Sequence, residues 1–227
     1  MIKLIKRKIG KMFFNYLKRN NQVVVDYNNE NKTKILNIIK KIKKEVQVHL
    51  SDNECMQLFT ISRSVSNIKG EFAEVGVYKG GSAKILCETR GEKSLHLFDT
   101  FSGLPEKTKE DYQRFNTGNF TSSIEETKSN LKDYNYIYYY EGLVKDTFKQ
   151  VKDKRFSFVH LDVDLYESTL DCLNLFYENM SLGGIILSHD YSFGVKRAFD
   201  EFFKDKPESV IEISDSQCMI IKLENKR

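Results

Sequence analysis

Two acids at the end of an apolar strand, Asp162 and Asp164, are the residues of this sequence best suited to chemistry. They fall in the run Phe158-Val159-His160-Leu161-Asp162-Val163-Asp164-Leu165-Tyr166-Glu167-Ser168-Thr169. Carboxylates so placed can hold a hard cation or take up a proton. The strand turns at once into a helix, and in open α/β sheets ligands occupy the crevice beyond the carboxyl ends of the strands. Three more apolar segments finish the same way, at Glu74, at Asp99 and at His189-Asp190. Their convergence is the argument for an enzyme.

Each strand end offers a different function. Glu74-Val75-Gly76-Val77-Tyr78-Lys79-Gly80-Gly81-Ser82 leads from a strand into a helix. Its glycines permit tight turning and close ligand approach, beside the free N–H groups of a helix N-terminus. The spacing matches neither GxGxxG nor a GK[ST] phosphate loop, which disfavours a nucleoside triphosphate. Asp99, about 25 residues beyond Glu74, can accept hydrogen bonds from ribose hydroxyls. Asp162, His189 and Asp190 can close around one divalent cation. Mg²⁺ favours oxygen ligands, whereas a histidine makes Mn²⁺, Fe²⁺ or Zn²⁺ more competitive. Against these readings stand plain turn chemistry for the glycines, capping for Asp99 and His189, and solvation for Asp164. His96 and His160 fall within strand patterns and read as satisfied core or edge residues, and no motif surrounds His49.

These groups must be carried by alternating elements. Strands are predicted at Glu71–Val75, Ser94–Phe98, Tyr136–Tyr140, Phe156–Leu161 and Gly184–Ser188, with helices at Ser82–Thr89, Ser122–Leu131, Val144–Val151, Tyr166–Asn179 and through Phe203 between them and after the last strand. Two overlapping capping boxes, Ser122/Glu125 and Ser123/Glu126, are read at the start of the second of those helices. Two final strands, Ser209–Ile213 and Cys218–Leu223, are expected to form an antiparallel hairpin turning near Asp215-Ser216. Five β-α alternations without a repeat predict a doubly wound, mostly parallel sheet. The polar connection Gly103–Thr121 is too long for a routine βα loop and reads as a lid or binding loop.

The chain has 227 residues, 40% of them hydrophobic, and only two prolines. That is enough for one domain with an extension, assigned here as a basic helical segment 1–50 and a main domain 51–227. Residues 1–50 carry 13 Lys/Arg against 3 Asp/Glu, a balance of +10 on a chain of net +4, which leaves −6 for the remainder. Helices are expected near 32–46 and 53–67, after a polar link from Asn20 to Asn31. Within 2–19, Ile2, Ile5, Ile9, Met12, Phe13, Tyr16 and Leu17 follow helical spacing opposite Lys and Arg. Docking on its own domain or on a second subunit is favoured for this helix. Contact with an anionic membrane surface is the alternative, and nucleic acid is disfavoured because no aromatic-interleaved motif accompanies the charge. The start is too charged for a signal peptide, and no run approaches the ~20 apolar residues of a membrane span. Cys55, Cys87, Cys172 and Cys218 follow no zinc or redox spacing and read as buried apolar residues suited to a reducing cytoplasm.

Taken together, these motifs resemble the macrocin O-methyltransferase family. The matching pieces are Glu74 to Ala83, Asp99-Thr100-Phe101-Ser102-Gly103-Leu104-Pro105, Leu161 to Asp171, and Gly183-Gly184 leading to Asp190-Tyr191. The resemblance implies a seven-stranded, Rossmann-like class I methyltransferase fold and S-adenosylmethionine as cofactor, with Glu74 near the methionine amino group and Asp99 on the ribose. Gly76, Tyr78, Gly80 and Ser82 complete the expected cofactor shell on the first loop, with Thr100, Ser123, Gly142 and Asp162 on later ones. It also implies a divalent metal, usually Mg²⁺, on Asp162 and the acids after the fifth strand. The chain departs from the family at His189-Asp190, where two consecutive aspartates are typical, and Leu165 stands where a catechol-type enzyme has lysine.

The resulting expectation is O-methylation of a hydroxyl on a sugar or glycosylated small molecule, by a homo-oligomeric enzyme. Asp162, His189 and Asp190 would hold metal, and Asp162, Asp164 and His189 are the catalytic candidates. Three competing readings are an adenine-nucleotide oxidoreductase, a catalytically silent methyltransferase-like scaffold, and a surface-binding module acting through residues 1–20.

Overall fold

The computed structural model describes Met12 and residues 30–213 and 216–223. The predicted helix 2–19, apart from Met12, and the turn residue Asp215 lie outside the described residues. The chain divides into two compact units, Met1–Lys34 and Ile35–Arg227. In the first, Met12 is helical and exposed, and Glu30 and Lys34 form an i,i+4 ion pair at 2.7 Å.

Two helices that are complete among the described residues lead into the sheet. Helix α1 (Glu30–Glu45) buries Ile35, Ile39 and Ile42 at helical spacing. Helix α2 (Asp52–Ser64) opens on a capping box: Glu54 N donates to Ser51 Oγ at 3.1 Å and Ser51 N donates to Glu54 Oε2 at 2.8 Å. The alternation then runs β1 (Glu71–Val75), α3 (Gly81–Cys87), β2 (Leu95–Asp99), α4 (Ile124–Asn130), β3 (Ile137–Glu141), α5 (Val144–Thr147), β4 (Phe156–Leu161), α6 (Tyr166–Phe176), β5 (Met180–Ser188) and α7 (Phe193–Phe203). Strands β6 (Ile211–Glu212) and β7 (Cys218–Ile221) close the sheet.

The seven strands are ordered β3-β2-β1-β4-β5-β7-β6. All pairings are parallel except β5 with β7 and β7 with β6. The predicted doubly wound sheet with its C-terminal hairpin is therefore present. Strand order reverses between β1 and β4, which opens a crevice beyond their carboxyl ends. Strand β4 is buried along its whole length, as expected of a parallel strand covered on both faces. Phe156 and Phe176 stack edge to face at 5.2 Å in that core.

Most predicted boundaries shift by a residue or more, and two differences bear on how the chain packs. Strand β5 begins at Met180 rather than Gly184, because the sheet tolerates Gly183-Gly184 through a register shift opposite Phe156/Phe158. At α4 a single cap replaces the two capping boxes. Ser123 Oγ accepts from Glu126 N at 3.0 Å, whereas Ser122 Oγ donates to the Tyr78 carbonyl at 2.9 Å.

Candidate functional site

Backbone ladders run one residue past the strands and fix the side chains beyond them. Gly76 N donates to Phe98 O, Asp162 N to Val75 O, His189 N to Leu161 O and Gly142 N to Asp99 O, all at 2.8–2.9 Å. Five strand ends are thereby tied into one rim. A cavity of about 290 Å³ opens there, lined by Gly76, Tyr78, Ser82, Asp99, Thr100, Gly142, Asp162, Asp164, His189 and Asp190 among the expected residues.

Gly76 is required by close approach. At φ +85°, a Cβ on it would fall 1.9 Å from the Asp162 carbonyl oxygen. The following turn is held by Asp99, whose Oδ2 accepts from Val77 N at 2.7 Å and Tyr78 N at 2.8 Å and whose Oδ1 accepts from Phe101 N at 2.7 Å. Burial raises the Asp99 carboxyl, and those three amides pull it back toward the ionised form. Since a carboxylate has about four acceptor positions, little capacity remains for a ribose.

Three expected cofactor residues do not line the cavity. Ser123 is spent on the α4 cap. Gly80 is the left-handed residue before α3, facing Thr127 and Leu131. Glu74 is fully buried and bonded through Oε1 to His160 Nδ1 at 2.7 Å. Burial pushes its carboxyl up, against the pull of His160 and Ser82. Its Oε2 has no partner among the described residues.

The acids after β4 and β5 meet at His189. Its Nδ1 lies 3.0 Å from Asp162 Oδ1 and 3.1 Å from Asp190 Oδ2. Its Nε2 lies 3.1 Å from Glu54 Oε1 and 3.4 Å from Ser216 Oγ, and that hydroxyl donates to the same Glu54 oxygen at 2.8 Å. Burial alone would strip the ring of its proton, but the charge of Asp162 and bonds to Asp162, Asp190 and Glu54 push it well above its ordinary value. For Glu54, burial is outweighed by His189, which holds the carboxyl well below the usual range. Asp164 is pushed up by burial first and then by Asp190. Burial of Asp190 is outweighed by bonds from His189 and Asp164, which lower it. Asp164 and Asp190 both adopt left-handed backbone, at φ +61° and +53°, a conformation aspartate tolerates better than most residues.

One donor atom each from Asp162, His189 and Asp190 lies within 4.8 Å of the others. Two carboxylates and an imidazole suit a borderline divalent ion such as Mn²⁺ at least as well as Mg²⁺. The set fits a metal in a second respect, because ligating histidines usually give their other ring N–H to a carboxylate, and Glu54 stands in that place.

Sequence reasoning missed Glu54, although Ser51-Asp52-Asn53-Glu54 before an apolar run is a readable capping box. It also missed Gln47–Leu50, which line the cavity between α1 and α2. His49 packs edge-on against Tyr78 and Phe120 there, at 5.1 and 5.5 Å. His96 and His160 are buried as expected, and all four cysteines are free and buried.

The predicted lid or binding loop forms one wall of the cavity. Leu104 and the 118–119 turn exchange backbone bonds at 2.9 Å, and buried Asp111 accepts from Tyr166 N, the first residue of α6, at 2.6 Å. Arg114 and Phe115 from this loop face the cavity.

A family model described as Macrocin-O-methyltransferase (TylF) matches residues 52–220. The chain belongs to the macrocin O-methyltransferase family. Among curated relatives, a demethyldecarbamoylnovobiocin O-methyltransferase of Streptomyces niveus is 28% identical over 156 residues, 60% of this chain and 59% of that protein. An 8-demethyl-8-(2,3-dimethoxy-alpha-L-rhamnosyl)-tetracenomycin-C 4'-O-methyltransferase of Streptomyces olivaceus is 26% identical over 141 residues, 55% and 54% of the two chains. The matches therefore span less than two thirds of either relative. Among solved structures, the O-methyltransferase NovP superposes with a TM-score of 0.68 at 22% identity, covering 79% of this chain and 83% of that one. The calicheamicin methyltransferase CalS11 gives 0.64 at 16% identity, with coverage of 87% and 94%. The macrocin O-methyltransferase family member described here thus shares the fold of these enzymes, and no helix among its described residues is long and apolar enough to cross a membrane.

Proposed function

We propose that this chain is an S-adenosylmethionine-dependent O-methyltransferase acting on a hydroxyl of a sugar or sugar-bearing small molecule, assisted by a divalent cation. The observation that carries the reading is that the Gly76–Tyr78 turn, Asp99 and the Asp162/His189/Asp190 donors all face one cavity. The acceptor class rests on a relative whose name specifies a dimethoxy-rhamnosyl group on its substrate.

When bound, S-adenosylmethionine supplies an electrophilic methyl group, and a divalent cation supplies Lewis acidity that favours the acceptor alkoxide. Gly76 admits the cofactor backbone closely and Asp99 holds the turn. Asp162, His189 and Asp190 orient the acceptor oxygen. With the cofactor bound, that oxygen would receive the methyl group and the neutral thioether would be the leaving group. A residue bound to a cation cannot also be a free base, and Asp164, which burial and Asp190 push up to about 9, already holds its proton at neutral pH, so the acceptor proton is assigned to solvent at the cavity mouth. The basic segment 2–19 is assigned to assembly of a cytoplasmic homo-oligomer rather than to a membrane surface.

Mass spectrometry of the purified protein tests the reading through retained S-adenosylmethionine or S-adenosylhomocysteine, followed by turnover on a panel of glycosides with and without chelator. Tight NAD binding without S-adenosylhomocysteine binding would overturn it. For the N-terminal assignment, light scattering after removal of residues 1–20 should reveal a smaller assembly, with cofactor affinity changed by less than about tenfold. An unchanged assembly that no longer binds anionic vesicles would instead make the segment a membrane contact.

A further inference from the structure

Glu54 lies 135 residues from His189 in sequence and is nonetheless its direct partner. The two glutamate oxygens do separate jobs. Oε2 accepts from Ser51 N and completes the α2 capping box, while Oε1 faces His189 Nε2 and accepts from Ser216 Oγ. The glutamate is buried and its rotamer is pinned from both ends, so it presents a fixed acceptor to the ring. Ser216 is itself placed by its backbone, since Tyr191 N donates to Ser216 O at 2.7 Å just beyond β5.

We infer that Glu54 is a positioning residue for a nitrogen-containing metal site. By accepting the hydrogen bond from Nε2–H it turns His189 Nδ1 toward Asp162 and Asp190, and so fits this chain for Mn²⁺ or a similar borderline ion in preference to Mg²⁺. The inference deepens the proposed methyl transfer and rests on its cation-assisted form. Its chemistry is that of a metal-bound imidazole oriented by an outer carboxylate, where losing the outer partner typically costs 10–100-fold in metal affinity. Here that outer carboxylate belongs to a helix cap, so α2 and the end of β5 share a single side chain.

The test uses the full chain with Mn²⁺ alone as probe, read by titration and by pulsed electron paramagnetic resonance. Wild type should bind one Mn²⁺ at this site with nitrogen modulation from a coordinated imidazole. Glu54→Gln keeps an oxygen for Ser51 N, so α2 stays capped, and should weaken Mn²⁺ by about 10–100-fold. Ser216→Ala should weaken it less, and serves as the second variant if the first folds poorly. His189→Asp should retain Mn²⁺ without nitrogen modulation and shift the Mn²⁺/Mg²⁺ affinity ratio toward Mg²⁺. A wild-type spectrum without nitrogen modulation, no Mn²⁺ binding, or unchanged affinity in Glu54→Gln would each overturn the inference. S-adenosylhomocysteine calorimetry on the same samples separates the two levels. Cofactor binding without the metal signature removes only the metal site, whereas absent cofactor binding removes the methyl-transfer reading.

Discussion

The pair His160–Glu74 and the pair His189–Glu54 consist of the same two residue types at similar separations, 2.7 and 3.1 Å, yet they occupy opposite situations. Glu74 and His160 are register partners on adjacent strands β1 and β4, and both are fully buried. Their outer atoms, Glu74 Oε2 and His160 Nε2, have no partner among the described residues. His189 and Glu54 come from β5's exit and α2, and each far atom meets another polar group at the cavity rim. A third pair, His96–Glu71, is closed off by Tyr140 on one side and Lys154 on the other. Residue type therefore does not separate a structural pair from a functional one. What separates them is the surroundings of the atoms left over.

The largest expected effect comes from breaking the core pair. His160→Ala strands a buried glutamate and should cost about 3–5 kcal/mol in urea-unfolding free energy, the usual penalty for removing one partner of a buried pair. Replacing both residues with apolar side chains should recover part of that loss. A cost below about 1 kcal/mol for the single change would place this pair with the solvated ones. Asp99 stands between the two classes, because it satisfies three backbone amides and also lines the cavity. Asp99→Ala should weaken S-adenosylhomocysteine binding by about 1–3 kcal/mol in calorimetry, through loss of charge-assisted bonds that hold the Gly76 turn.

The smallest effect is expected at Glu71. Burial works against its charge, but Lys154 and then His96 bring the carboxyl below its ordinary value of 4.5. Burial also keeps the His96 ring below its ordinary value, so Lys154 is the charged partner. A lowered carboxyl contributes stability above its unfolded pKa and loses it as pH falls through the folded one. Glu71 is a quarter exposed and therefore screened, so Glu71→Gln should remove less than about 1 kcal/mol at neutral pH and flatten the acid limb of the stability curve below pH 4.5. A loss growing toward acid would reverse the sign and break the assignment.

The strand ends were legible because apolar runs and the residues that stop them are local signals. Glu71–Val75 and Phe156–Leu161 occur with the bounds expected of them, and Asp162, His189 and Asp190 meet because their strands are neighbours. Partners brought by other elements were not legible. Glu54 could be read as a cap but not as a brace, since nothing local says where α2 docks. Ser123 and Gly80 were read as cofactor residues from loop position alone, and their competing roles in capping α4 and opening α3 became visible only with the helices in place. Glu74 lies at the expected strand end, but the sheet buries it one layer beneath the cavity wall.

The contact between Gly76 and the Asp162 peptide has a consequence for how the site can change over time. One face of that peptide seals the glycine turn, while its side chain belongs to the three-donor cluster. Any larger residue at 76 must push the Asp162 backbone away, and the donors move with it. The glycine-turn side and the three-donor side of the crevice therefore share one fixed point. Variation that alters the acceptor has free scope in the 103–121 wall and in the 47–50 segment, which touch the cavity without touching that point.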